Sequence, residues 1–82
     1  MGEVAVVIKI LPDDPANFES MKENIIKTFN PKSVKEEELA FGLKALRIMV
    51  IMDDKQGAGN IEEKIMQTKG VGQAQVEDMT LV

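Results

Sequence analysis

Two runs of this 82-residue chain, Val4 to Leu11 and Leu43 to Met52, are apolar on both alternating faces, and that restricts the fold more than any other feature. In the first, Val4, Val6, Ile8 and Ile10 alternate with Ala5, Val7 and Lys9. In the second, Leu46, Ile48, Val50 and Met52 alternate with Ala45, Arg47, Met49 and Ile51. A period of two with apolar residues on both sides belongs to strands at the centre of a sheet, where neighbours shelter both edges. The sheet edges have to come from other segments.

Those segments are present. Pro12 ends the first run, Asp13-Asp14-Pro15 makes a turn, and Asn17 is placed to cap a helix with Phe18, Met21, Ile25, Ile26 and Phe29 along one face. Asn30-Pro31 closes that helix, because the residue before a proline is pushed out of the helical region. Ser33 to Leu39 then reads as an edge strand, with Val34 as its one β-branched apolar residue and the charges Lys35, Glu36, Glu37 and Glu38 discouraging further pairing. After the second run, Asp53 to Gly59 is a polar loop, and Asn60 with Glu63 resembles a capping box for a helix whose Ile61, Ile65 and Met66 face inward. Gly70 supplies a left-handed cap, and Val71 to Thr80 a last strand of irregular alternation.

The order strand, helix, strand, strand, helix, strand predicts an α+β, ferredoxin-like βαββαβ sandwich. Right-handed crossovers place the four antiparallel strands in the order 4-1-3-2 with both helices on one face, so the two best apolar strands fall at the centre. At this length residues 1–82 are expected to make one domain.

Composition narrows the chemistry. With no His, Cys or Tyr, hydrolase triads and thiolate metal sites are excluded, and acid-base work would fall to carboxylates and lysines alone. Fourteen acidic against ten basic residues, no Trp and three Phe argue against direct nucleic-acid binding, which needs cations for phosphate and rings for bases. The pair Gly57-x-Gly59 lacks the lysine and hydroxyl of a phosphate-cradling loop. Asp53 and Asp54 lack a third ligand at a set spacing, so neither a metal nor another cofactor is expected. Arg47 lies inside the best strand, not beside a phosphate-binding loop as an acylphosphatase would need. The longest apolar stretches, Val4 to Ile8 and Ile48 to Met52, fall far short of a membrane span, and no basic segment precedes an apolar one at the N-terminus. A cytoplasmic protein without covalent chemistry of its own is expected.

The stretch Leu39-Ala40-Phe41-Gly42-Leu43-Lys44-Ala45-Leu46-Arg47-Ile48 resembles the exchange-factor domain of the elongation factor 1-beta family, in which a segment [I/L]-[A/G]-[F/Y]-G-[I/L]-x-x-L enters the third strand. That strand ends in an acidic turn of the type Asp-Asp-Lys, matched by Asp53-Asp54-Lys55, and Gly2 to Pro12 is similar to archaeal members. The resemblance implies a guanine nucleotide exchange factor that promotes GDP release and GTP loading on elongation factor 1-alpha, monomeric when free. It carries the partner contact of the family's aromatic onto Phe41, with Ala40, Gly42 and Lys44 beside it and Asp53, Asp54 and Lys55 as a second contact segment. Eukaryotic relatives also use a lysine next to the last residue to disturb magnesium and phosphate; Leu81 stands there in this chain. Two rival readings share the fold: an ACT-like small-molecule-sensing module, and a protein-binding adaptor using Ala45, Met49 and Ile51 on the second face of the sheet.

Overall fold

The computed structural model describes residues 2–53 and 58–81. The elements run β1 (Glu3–Pro12), a 3-10 turn at Pro15–Asn17, α1 (Phe18–Phe29), β2 (Ser33–Glu38), a 3-10 turn at Ala40–Gly42, β3 (Lys44–Asp53), α2 (Ala58–Met66) and β4 (Val71–Leu81). The four strands form one antiparallel sheet in the order β2-β3-β1-β4, which is the expected 4-1-3-2 read from the other edge. The two doubly apolar strands are the central pair, joined through Ile8 opposite Ile48 and Val6 opposite Val50.

The core lies between the sheet and the helices. Val6, Ile8 and Ile10 from β1, Leu46 and Ile48 from β3, Met21 and Ile25 from α1 and Ile65 from α2 are all essentially inaccessible. Each such side chain contributes roughly 1.5–3 kcal/mol by leaving water. The helices cover their parts of the sheet by packing on strands more than on each other: α1 rests on β1 and β3, α2 on β4. Ile26 and Met66, expected to face inward, are exposed. Neighbouring helical residues point about 100° apart, so Ile25 and Ile65 take the inward direction and turn the residues beside them outward.

Local chemistry explains the ends. Asn17 does not cap α1 with its side chain, as its position suggested; it donates instead to Asp13 (3.1 Å), and the helix is entered through the 3-10 turn, where Asp14 accepts from the Ala16 N–H (2.9 Å). Asn30 closes α1 in the left-handed region (φ 47°) and donates its N–H to the Ile26 carbonyl (3.0 Å). α2 starts at Ala58, so Asn60 lies inside its first turn and is not its cap. Gly70 does have a positive φ of 95°, but it sits four residues beyond α2, in the turn that leads into β4.

β4 pairs with β1 along its length with two irregularities that explain its uneven alternation. Between Val7 and Ile8 the β4 partner jumps from Asp78 to Val76, leaving Glu77 as an extra residue, and between Leu11 and Pro12 it jumps from Gln73 to Val71, leaving Gly72. A Cβ on Gly72 would come within 2.8 Å of the Asp13 Cα and the Pro12 carbonyl oxygen, so only glycine fits this close approach of two chains. No helix among the described residues is long and apolar enough to cross a membrane.

Candidate functional site

The β2–β3 hairpin is centred on Phe41. Pairs Val34–Ile48, Glu36–Leu46 and Glu38–Lys44 step toward the turn, the Leu39 N–H donates to the Leu43 carbonyl (2.7 Å), and the Leu43 N–H donates to the Ala40 carbonyl (3.3 Å). Closing the turn in this way puts two successive residues in the left-handed region, Phe41 at φ 64° and Gly42 at φ 76°. Glycine takes that conformation without strain, whereas at a phenylalanine it costs roughly 1–2 kcal/mol. Despite the strain, the ring lies outside the core: Phe41 is 99% exposed.

An apolar ring held in solvent by a strained backbone contributes nothing to folding. The ordinary choices for this position are asparagine or glycine. Such exposure excludes a place for Phe41 folded over the end of its own core.

Lys44, expected beside Phe41 in a partner contact, is engaged by its own chain. Its ammonium lies 3.8 Å from a Glu36 oxygen and 5.9 Å from the centre of the Phe18 ring. The other Glu36 oxygen accepts from the Lys22 ammonium at 2.7 Å. That hydrogen bond, reinforced by charge, holds the Glu36 carboxyl below its ordinary pKa and raises the pKa of Lys22. Glu36 thus ties the base of the hairpin to α1.

Ala40, Phe41, Gly42 and Lys44 therefore lie together at one end of the sheet. Asp53 does not join them: it ends β3, and the ten residues of that strand place it roughly 30 Å from the turn at about 3.3 Å per residue. Asp54 and Lys55 lie outside the described residues. Leu81, 75% exposed, is near Asp53, since Val4 pairs with both Met52 and Leu81. The Phe41 turn and Asp53 thus lie toward opposite ends of a molecule 42 Å long.

The sheet face away from the helices holds a second cluster, which the sequence reading passed over. Arg47 Nη2 lies 3.0 Å from a Glu37 oxygen and 2.8 Å from Glu77, the extra residue of the β4 bulge. The Arg47 Nε is enclosed with no hydrogen-bond partner among the described residues. A signal for this cluster was available, because a turn centred on Phe41 sets Glu37, Lys35 and Arg47 side by side. On the same face Ala45 is fully buried and Met49 and Ile51 half-buried, so an adaptor would find less apolar surface there than the sequence suggested. Among the described residues, no group of three or more acidic side chains is arranged to hold a metal ion.

A family model for the EF-1 guanine nucleotide exchange domain matches residues 5–82. The chain is 34% identical over 84 residues to the elongation factor 1-beta of Methanoculleus marisnigri, with 100% of both proteins covered. It is 38% identical over 83 residues to that of Pyrobaculum aerophilum, covering 93% of this chain and 90% of the relative. With the elongation factor 1-beta of Thermoplasma acidophilum the identity is 34% over 88 residues, again with 100% of both covered.

Proposed function

We propose, because this chain belongs to the family of EF-1 guanine nucleotide exchange domains, that it promotes GDP release from elongation factor 1-alpha so that GTP can load. The observation that carries the reading is Phe41, fully exposed in a left-handed turn of its own chain. A rigid aromatic held out by a short turn is suited to enter a partner's pocket, where burying it stabilises a complex by the amount folding forgoes. Ala40 and Gly42 shape the turn, Lys44 steadies its base through Glu36 and Phe18, and Asp53 at the far end of the sheet makes a second contact, together with Asp54 and Lys55, which follow it in sequence.

No covalent step is needed. The factor binds the nucleotide-free GTPase more tightly than the GDP-bound form, and by linkage the same factor weakens GDP binding. Each 1.4 kcal/mol of that preference loosens nucleotide about tenfold.

The test is release of fluorescent GDP from the cognate elongation factor 1-alpha with and without this protein. Acceleration that is lost in Phe41→Ala supports the reading; a parent protein that leaves the release rate unchanged overturns it.

A further inference from the structure

We propose that the helix-free face of the sheet, in the half nearest Phe41, docks on a carboxylate-bearing surface of the same GTPase, an inference that rests on the exchange reading above. Cross-strand register lines up three cations in one row: Lys35 on β2, Arg47 on β3 and Lys9 on β1. Like charges directly opposite on a sheet repel and destabilise it. Arg47 is answered by Glu37 and Glu77. Among the described residues Lys9 and Lys35 have no ion pair, although the chain as a whole carries a net charge of −4. Two ammonium groups without an ion pair among the described residues therefore flank Arg47 in one row of an acidic protein.

What lies around them fixes the direction. Toward the hairpin, the next rows of the same face carry Glu37, already paired with Arg47, opposite the buried Ala45, then by strand alternation Leu39 beside Leu43, which is 40% exposed and adjoins the turn that holds Phe41. Toward the other end the face becomes acidic, with Asp78 opposite Val7 and Glu3 opposite Asp53. An acidic partner is repelled from that far half and attracted to the near one, where Lys9, Lys35 and Arg47 outnumber Glu37 and Glu77 and the exposed Leu43 adjoins the Phe41 turn. Such charge complementarity orients the encounter and raises its rate more than it raises final affinity.

The occupant is a protein and not RNA, since stacking on this face would require rings and none of its rows contains one.

The experiment measures kcat/KM for stimulated GDP release from elongation factor 1-alpha with Lys9→Glu/Lys35→Glu. The double variant is expected to lose about tenfold or more near 0.05 M salt, and the gap should narrow several-fold near 0.3 M as charges are screened. Its thermal stability should hold or rise, because like-charge repulsion with Arg47 is removed. Lys9→Gln/Lys35→Gln, which alters charge without reversing it, should show a smaller loss in the same direction. Lys27→Glu/Lys69→Glu makes the same change in net charge elsewhere and should stay within about threefold of the parent if docking, and not overall charge, is responsible. Retention of the parent rate by the first variant, or an equal loss in the last, overturns the docking face while leaving the exchange reading intact. RNA binding by the parent that the lysine variants abolish without touching exchange also overturns it. A parent with no exchange activity removes both.

Discussion

Phe18 and Phe41 are the same residue used in opposite ways. Phe18 opens α1 at 5% exposure beneath the sheet, whereas Phe41, in the β2–β3 turn, is 99% exposed. The two regions touch through Lys44, whose ammonium reaches the Phe18 ring from a position three residues beyond Phe41. Proximity therefore does not decide burial; backbone direction does. α1 presents Phe18 with Met21 and Ile25 along one helical face, and those residues meet the sheet. The turn instead spends its strain on pointing a ring away. A lone exposed apolar residue is ordinary; what sets Phe41 apart is that a strained left-handed turn holds it there, and the proposed partner contact rests on that strain.

The largest expected effect falls on the buried ring. Phe18→Ala should lower stability by roughly 3–5 kcal/mol, as removal of a large core side chain leaves a cavity. Chemical denaturation measures it, and GDP release by the remaining folded protein should fall only slightly, through the lost contact of Lys44 with the ring. A loss below about 1 kcal/mol would mean that the start of α1 is loosely packed and that the contrast with Phe41 is smaller than burial suggests.

For Phe41 the pattern inverts. Phe41→Ala should change stability by no more than about 1 kcal/mol, the usual limit at an exposed site. As an anchor of the complex it should cost about 2 kcal/mol of coupling, some thirtyfold in GDP release. Phe41→Gly sharpens the comparison: relief of the left-handed strain should raise stability by up to roughly 1 kcal/mol while exchange falls as far as in the alanine variant. Stability and activity moving together would return Phe41 to a structural role.

How much of this was legible follows from the same physics. The central strands and the topology were readable because apolar residues on both faces of a strand leave it no place but the middle of a sheet. The precise helix starts were not: whether Asp14 or Asn17 supplies the cap depends on a 3-10 turn whose hydrogen bonds leave no periodic trace. Ile26 and Met66 looked like core because a hydrophobic residue beside an inward one is hard to tell from it by spacing. The exposure of Phe41 could be expected only through the family resemblance, since an aromatic before a glycine reads equally well as a core lid. The lysine row on the open face required knowing which residue of the turn is its centre.

A smaller effect is expected at the far end of the sheet, at Leu81, the position where the family resemblance implies a lysine in eukaryotic relatives. The side chain is 75% exposed at the last pairing of β4 with β1, so it supports little of the fold. An apolar residue acts on a neighbour through shape and not through the Coulomb field by which a lysine disturbs phosphate and magnesium. Deleting Leu81 and Val82 should therefore lower GDP release by less than about tenfold, or 1.4 kcal/mol of coupling, and Leu81→Lys should match or exceed the parent. Near-complete loss of exchange with the circular dichroism of the parent would show that this end matters as much as the Phe41 end.

The smallest effect belongs to the link between the two phenylalanine regions, Lys22–Glu36–Lys44. The hydrogen bond from Lys22 and the charges of both lysines lower the Glu36 pKa from its ordinary 4.5, so this group adds stability above that pH and loses it as pH falls through the depressed folded value. Lys22 is shifted up from 10.5, mainly by the same hydrogen bond, so its share is present below 10.5 and is lost as pH rises through the higher folded value. Between those limits the pair contributes a constant amount, and at the surface that amount is small. Glu36→Gln should therefore flatten the acid limb of the stability curve slightly, leaving the neutral region parallel to the parent. Because Glu36 also steadies the base of the turn, the same variant should exchange a little more slowly at neutral pH, by less than Phe41→Ala. An acid limb identical to that of the parent would mean that the 2.7 Å contact is not maintained in solution and that Lys44 alone holds the hairpin to α1.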